Sequence, residues 1–276
     1  MTLNPSKVFS KILIEQLAKL KLFRKIAGFL NLYLSPSTDF LVEVKENKMY
    51  ARSLDRILAL YLWKFSLLED NETQILKKLI KKGMSVFDIG ANIGYYTLIF
   101  SRLVGKNGRV FSFEPDPENF RLLVKNIKVN KFKNITPVQK AVSNKNGKII
   151  LYLCQEHKGN HSIIENFAWK KIMVESTTLD SFLRTGIKPD LIKMDIEGAE
   201  YLALLGMKKT LTKNKKIILL TELSSSVPKQ LFNLFKSFGL KVNLIDKDRI
   251  SEPVSPNKLI RLAQSKNYLN LLLAKS

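Results

Sequence analysis

The amino-acid sequence predicts an α/β fold with a mostly parallel, doubly wound sheet. From residue 71 onward, short apolar segments alternate with longer segments whose apolar residues recur every three or four positions. Such alternation is typical of βαβ units, in which a helix crosses between two parallel strands. The 276 residues, 45% of them hydrophobic, suffice for one large domain with an appendage.

The predicted elements follow one another without an internal repeat. We expect strands at 84–90, 108–116, 135–142, 147–154, 190–198, 215–223, 240–246 and 267–275. We expect helices at 71–83, 95–104, 118–130, 177–186, 199–211 and 228–239. Asn71 is an N-cap candidate for the first of these helices and Gly83 is a C-cap candidate, which places the main domain at 71–276.

The first 70 residues have a different pattern, and we expect a helical extension or cap at 1–70. Residues 7–34 have helical spacing, with lysines on a face separate from the apolar one. An extended segment with turn residues Glu46 and Asn47 follows, and 53–65 is typical of a second helix. The basic amphipathic helix either packs on the protein as a cap, which we favour, or lies on an anionic membrane.

The composition limits the class of protein. Lys and Arg total 46 against 24 Asp and Glu, which gives a net charge of +22. This charge favours an anionic partner, which is nucleic acid, an anionic membrane or a phosphorylated substrate. The alternative is a basic surface that is only solvated and has no such partner. Cys154 is the single cysteine, which excludes an internal disulfide and a cysteine-based metal site. No segment reaches the roughly 18–20 apolar residues of a membrane span. We therefore expect a cytoplasmic protein that at most touches a membrane surface.

The segment VFDIGANIG, residues 86–94, joins a predicted strand to a predicted helix, where ligands of parallel sheets bind. Gly90 allows a sharp turn, and Gly94 lets the helix start close to the strand. The spacing differs from the dinucleotide pattern G-x-G-x-x-G, and Asp88 would repel a pyrophosphate but attract an ammonium group. The loop, with Asn92 at its centre, therefore favours S-adenosylmethionine (SAM) over NAD or purely structural glycines.

A second acidic residue supports a nucleoside ligand. Glu114 closes the second predicted strand of the main domain, about 20 residues after the glycine loop, where an acid accepts hydrogen bonds from ribose hydroxyls. Ala141, near the end of the third predicted strand, would contact the adenine ring. Asp116 completes the predicted cofactor-binding set.

Four segments resemble the landmark blocks of the FkbM family of SAM-dependent methyltransferases. They are VFDIGANIGYYTL, FSFEPDPENF, TTLDSFL and DLIKMDIEGAE, and their order and spacing match the family over residues 70–276. Asn92 follows the family, which has asparagine where other methyltransferases often have a glycine. The resemblance implies a Rossmann-like, seven-stranded methyltransferase sheet, SAM as methyl donor, and O-methylation of a sugar, glycan or other natural product.

The segment KMDIEGAE ends a later strand beside the glycine loop and is the predicted catalytic cluster. Asp195 and Glu197 would point to the same side if the strand continued, with Lys193 on that face. A hydroxyl acceptor needs a base, so we assign catalytic roles to these three residues. Mutual pairing of the charges is one alternative, and Mg²⁺ or Ca²⁺ binding by the two carboxylates is another, although we predict no metal.

Two more residues are candidates near the acceptor. His161 lies in the polar segment HKGNHSII and can serve as the base, or it is a histidine of a solvent-facing loop. Glu222 closes the strand in LLTEL, again at the edge where ligands bind.

The leading functional hypothesis is an O-methyltransferase that acts on a hydroxyl of a sugar, glycan or other small molecule. An RNA methyltransferase is the first alternative because the charge of +22 suits RNA. However, the catalytic strand end has MDIEGAE in place of N-P-P-Y or D-P-P-Y, so nucleic acid is not the expected partner. A membrane-surface protein without enzymatic activity is the second alternative, and it leaves the glycine loop unexplained.

Overall fold

The structure is a computed structural model and describes residues 39–52, 71–154, 161–166, 168–183, 186–224, 229–246, 249–265 and 268–275. The helices predicted at 7–34 and 53–65 lie outside these residues. No helix among the described residues is long and apolar enough to cross a membrane.

The described residues form helices and strands in the following order. The strands are β1 (Asp39–Val44), β2 (Asn47–Arg52), β3 (Ser85–Ile89), β4 (Arg109–Phe113), β5 (Ile135–Val138), β6 (Ala141–Val142), β7 (Gly147–Leu153), β8 (Lys170–Thr177), β9 (Leu191–Met194), β10 (Ile218–Ser224), β11 (Leu240–Asp246), β12 (Arg249–Pro253) and β13 (Tyr268–Lys275). The helices are α1 (Asn71–Leu79), α2 (Tyr95–Val104), α3 (Pro117–Val129), α4 (Leu179–Phe182), α5 (Glu200–Leu205), α6 (Lys208–Lys213), α7 (Lys229–Ser237) and α8 (Pro256–Ser265).

A sheet of eight strands forms the centre of the molecule, in the order β12-β11-β13-β10-β9-β3-β4-β5. Strands β10, β9, β3, β4 and β5 run parallel, and β13 lies antiparallel between β10 and β11. The prediction of a mostly parallel, doubly wound sheet is confirmed. The predicted number of seven strands is wrong, because β12 pairs antiparallel with β11 and adds an eighth strand at the edge.

Apolar side chains cover both faces of this main sheet. Strand β3 alternates between them: Val86 packs with Leu76 of α1 and Phe100 of α2 on one face, and Phe87 stacks on Phe111 on the other, with ring centroids 4.7 Å apart. Because both faces are buried, ligands can reach the main sheet only at its edges and strand ends.

Two predicted elements are divided in the structure. The predicted strand at 135–142 splits into β5, an edge strand that tolerates Pro137, and β6, which joins β8 and β7 in a separate three-stranded sheet. The predicted helix at 199–211 breaks into α5 and α6 at Gly206, where a Cβ would overlap the carbonyl oxygen of Ser143. The sequence patterns did not predict β8, β12 or α8.

Strands β1 and β2 form a hairpin within the predicted extension. Its turn consists of Lys45 and Glu46, one position earlier than predicted, because Asn47 already pairs with Val44. Lys45 has a left-handed backbone with a φ of 56°. The domain boundary near residue 70 stays a prediction.

Asn126 of α3 and Asn130, which caps the carboxyl end of α3, bind the backbone of β2. The Asn126 Oδ1 accepts from the Tyr50 N–H at 2.6 Å, and its Nδ2 donates to the carbonyls of Tyr50 at 3.0 Å and Ile93 at 2.8 Å. Asn130 makes an equivalent pair with the N–H and carbonyl of Lys48, at 2.9 and 2.7 Å. The fully buried Asn126 thus joins the hairpin to the glycine loop, to which Ile93 belongs.

Replacing Asn126 with alanine should lower the free energy of unfolding by about 3 kcal/mol, because buried backbone groups of Tyr50 and Ile93 lose their partners. Asn130→Ala is the matched control, since its bonds lie near solvent and water can replace them; we expect a loss of about 1 kcal/mol. Urea unfolding followed by circular dichroism measures both. Equal losses in the two variants would contradict the role assigned to Asn126.

Candidate active site

The loop after β3 turns sharply where the carboxyl ends of β3, β4 and β9 meet. Gly90 and Asn92 have left-handed φ angles of 85° and 50°. A Cβ at Gly90 would overlap the carbonyl oxygen of Asp195, and the N–H groups of Gly90 and Ala91 donate to the Phe113 carbonyl at 3.0 and 2.9 Å. Only glycine therefore fits at position 90. The close approach to Asp195 and the hydrogen bonds to Phe113 hold the loop against the ends of β9 and β4.

The carboxylate of Glu114 is buried directly after β4 and holds the loop. The N–H of Asn92 donates to its Oε2 at 2.8 Å, and the N–H of Asp116 donates to its Oε1 at 2.9 Å. Burial raises the pKa of Glu114 to about 8, although these two hydrogen bonds oppose the shift. The carboxylate therefore sits in a place where further hydrogen-bond donors would stabilise its charged form.

Two of the predicted cofactor-binding residues mark helix starts. Gly94 precedes α2 with a φ of 97°, and a Cβ there would lie 2.7 Å from the Leu123 Cδ1. Asp116 caps α3 by accepting from the N–H groups of Glu118 and Asn119 at 3.0 and 2.8 Å. The structure thus gives both residues a role in placing helices, and neither lines the cavity described next.

A cavity of about 220 Å³ opens at this carboxyl edge of the main sheet. It is far larger than the roughly 15 Å³ that one buried water occupies, so it is not a packing defect. Predicted site residues that line it are Asp88, Gly90, Asn92, Glu114, Ala141, His161, Lys193 and Asp195. The described site candidates that lie outside its lining include Glu197 and Glu222.

Asp88 is buried at the end of β3 and faces the cavity. The Thr97 hydroxyl donates to its Oδ2 at 2.5 Å. Burial raises the pKa of Asp88 to about 6, with the charge of Lys193 opposing the shift. Asp88 is thus ionised at neutral pH and contributes negative charge to the cavity.

Lys193 is a buried cation surrounded by acids. Its Nζ lies 3.2 Å from the Asp195 Oδ2, 4.0 Å from the Glu72 Oε1 and 4.4 Å from the ring centroid of Tyr96. Burial alone would lower the pKa of Lys193, but the charges of Asp195, Glu72 and Asp88 raise it. Three carboxylates around one ammonium leave an excess of negative charge at the cavity wall.

The expectation that Asp195 and Glu197 point the same way is wrong. Strand β9 ends at Met194, and the backbone of Glu197 turns into the left-handed region with a φ of 53°. Asp195 lines the cavity, whereas Glu197 is exposed outside it. The strand period of two residues therefore does not apply to this pair.

Further carboxyl groups gather near this strand end. Desolvation by the surrounding protein, together with the charge of Asp195, raises the pKa of Glu197, Glu200 and Glu222 to about 7 in each case. Among the described residues, no three Asp, Glu, His or Cys side chains are arranged to hold a metal ion. We call Asp195, Glu197 and Glu222 the acidic rim.

His161 also lines the cavity, and a neighbouring backbone group fixes its tautomer. The N–H of Cys154 donates to the His161 Nδ1 at 3.1 Å. In the neutral ring the proton then resides on Nε2, which makes that nitrogen a donor. This geometry opposes the predicted role of His161 as a base and suits it to donating a hydrogen bond.

Several lining residues were not singled out from the sequence, chiefly Tyr95, Tyr96, Asn119 and Lys140. The two tyrosines start α2 directly after the glycine loop, and this adjacency was an available signal. Asn119 belongs to the first turn of α3, and Lys140 lies between β5 and β6. Their approach to the cavity depends on tertiary packing, which no local pattern reports.

The sequence profile described as the methyltransferase FkbM domain matches residues 88–241, more than half of the chain. A second profile, described as protein-L-isoaspartate (D-aspartate) O-methyltransferase, matches residues 31–144. The protein-L-isoaspartate O-methyltransferase 1 of Arabidopsis thaliana is 42% identical over 57 residues, 21% of this chain and 25% of that protein. The chain thus spans about a quarter of the length of this curated relative.

Solved methyltransferases match this structure at low sequence identity and with TM-scores below 0.5. A methyltransferase FkbM from Methylobacillus flagellatus KT is 16% identical with a TM-score of 0.46, over 92% of this chain and 60% of that chain. A SAM-dependent methyltransferase from Aquifex aeolicus is 14% identical with a TM-score of 0.43, over 74% of this chain and 88% of that chain.

The buried Glu114 should make stability depend on pH. Its folded pKa of about 8 exceeds the ordinary value of 4.5, so the folded state binds the proton more tightly. Its contribution to the free energy of unfolding is therefore present at low pH and falls as pH rises from about 5 to about 8, by at most about 1.4 kcal/mol per pH unit.

The Glu114→Gln variant cannot titrate at this position, so its stability should fall less steeply over that range. Urea unfolding of both proteins at a series of pH values measures the two slopes. Parallel slopes would show that Glu114 has an ordinary pKa and is not buried as described.

Proposed function

Because this chain belongs to the FkbM family of methyltransferases, we propose that it transfers a methyl group from SAM to a hydroxyl of a sugar, glycan or other small natural product. The cavity at the carboxyl edge of the main sheet carries this proposal, since a buried carboxylate, Glu114, faces it beside a glycine loop.

The cavity residues fit SAM in shape and in charge. The main chain of the glycine loop lines the cavity at Gly90 and Asn92, so a ligand can lie against it, and Glu114 can accept hydrogen bonds from ribose hydroxyls. Asp88 and the acids around Lys193 supply the negative charge that attracts an ammonium group. When bound, SAM supplies a methyl group that its sulfonium activates toward attack.

Asp195 is the residue best placed to take the acceptor proton. It lines the cavity, and its side chain is 40% exposed, so an acceptor can reach it from solution. Lys193, 3.2 Å away, fixes its carboxylate by a charge-assisted hydrogen bond. A positioned carboxylate that removes a hydroxyl proton during attack is a general base.

The acidic rim supports a neutral acceptor over an anionic one. Asp195, Glu197 and Glu222 gather at the end of the cavity that an acceptor would approach. A phosphate-rich RNA or the isoaspartyl carboxylate named for the Arabidopsis relative would meet like charge there. A sugar hydroxyl carries no charge and donates hydrogen bonds to carboxylates.

SAM should bind the wild-type protein, and Glu114→Gln should weaken binding by roughly 10- to 100-fold, because a charge-assisted pair of hydrogen bonds is lost. Glu118→Gln is the control, since that side chain is 61% exposed in the first turn of α3, four residues after Glu114. Isothermal titration calorimetry measures the three affinities. Equal affinities in all three proteins, or no binding by the wild type, would contradict the proposed cofactor site.

Methyl-labelled SAM, offered with neutral glycans, RNA and an isoaspartyl peptide separately, should label a glycan. On the labelled acceptor, Asp195→Asn should lower the rate constant by at least about tenfold with SAM affinity retained, because the base is lost. Glu175→Gln, an exposed change on β8, is the control. Label on RNA or peptide alone would refute the proposed acceptor class. Full activity of Asp195→Asn would refute the role of Asp195 as the base.

A further inference from the structure

The opposite edge of the main sheet, where its parallel strands begin, is lined by basic side chains. We propose that this amino edge docks on an anionic phospholipid membrane. Six exposed basic residues each lie within three positions of the first residue of a different strand: Lys82 (β3), Arg109 (β4), Lys133 (β5), Lys188 (β9), Lys216 (β10) and Lys241 (β11).

The strand register brings the starts of these six strands to one edge, and the six residues, called the basic row, lie at or next to those starts. Ser85 of β3 pairs with Arg109 of β4, and Leu191 of β9 pairs with both Val86 and Ile218. The antiparallel β13 also contributes, because its last residue, Lys275, lies at this edge. With strands about 4.8 Å apart, seven strand ends form a row roughly 30 Å long.

The basic row faces solvent with its charge uncompensated. Within the described part of the chain, the ion pairs involve other side chains, and none of the six lies within 4.0 Å of a carboxylate oxygen. Asp190, an acid at this edge, uses its Oδ2 to accept from the Ser85 N–H at 2.7 Å. The acids of the cavity lie at the other end of the strands, so the molecule has a positive and a negative edge.

The chemistry of the basic row favours a membrane over nucleic acid. Five of its six residues are lysines, which act as point charges, whereas arginine is the residue suited to bidentate recognition of phosphate and bases. Single-stranded nucleic acids also require aromatic rings for stacking. Among the described residues the exposed aromatic ring is Tyr268, which pairs with Ser224 at the opposite edge.

Docking through the amino edge would turn the cavity toward the aqueous phase. The strands run from the basic row to the cavity, so the two lie at opposite ends of the main sheet. Membrane attachment and acceptor entry therefore do not compete for one surface. Attachment would concentrate the enzyme at the membrane and leave the acidic rim free.

Sedimentation with phosphatidylcholine vesicles that contain about one third phosphatidylglycerol tests the proposal at low salt, where lysine attraction is strongest. The full-length variant Lys82→Gln/Lys188→Gln/Lys216→Gln should bind at least about tenfold more weakly than the wild type. The matched control is Lys145→Gln/Lys148→Gln/Lys170→Gln, with three exposed lysines neutralised near the three-stranded sheet. Both variants carry three charges fewer than the wild-type +22, and both should melt and bind SAM like it.

A selective loss in the amino-edge variant supports the proposal. Equal losses in both variants would show that only net charge matters, and unchanged binding in both would place membrane contact elsewhere on the chain. If the wild-type protein does not bind these vesicles, the proposal is overturned directly.

A parallel titration with a single-stranded RNA oligomer completes the test. If the amino-edge variant selectively loses RNA binding while its vesicle binding is unchanged, the basic row is a nucleic-acid surface.

Discussion

The candidate site depends on the hydrogen bonds that the buried carboxyl group of Glu114 accepts. Removing a carboxylate from water is costly, and two backbone N–H groups, from Asn92 and Asp116, offset that cost. These bonds tie the glycine loop after β3 to the start of α3. The same helix holds the hairpin and the Ile93 carbonyl through Asn126. One buried side chain therefore fixes several segments around the cavity that it lines.

Negative and positive side chains are separated along the strand direction, which the net charge of +22 does not reveal. Carboxyl groups gather at the strand ends, where Asp195 and Glu222 meet, and lysines such as Lys188 and Lys216 gather at the strand starts. The acidic edge suits a cationic cofactor and a neutral acceptor. The basic edge suits an anionic surface. Net charge alone would have assigned both edges to one partner.

The sequence could indicate Asp88 and Glu114 because polar residues at the ends of apolar strands are rarely placed there for packing. The direction of Glu197 could not be inferred, because it depends on where β9 stops. Strand β12 gave no signal, since its RISEP segment is mostly exposed and has no apolar alternation. The tautomer of His161 rests on the Cys154 amide, a tertiary contact without a sequence pattern.

The pKa of the Glu114 carboxyl, with and without SAM, tests this account most directly. Carbon-13 NMR of the labelled side chain can follow its titration. We expect a pKa of about 8 in the free protein, because the carboxyl is buried, and a clear decrease with saturating SAM, because hydroxyl donors would stabilise the charged form. A pKa that SAM binding leaves unchanged would contradict the account, since the cofactor would then not contact this carboxylate.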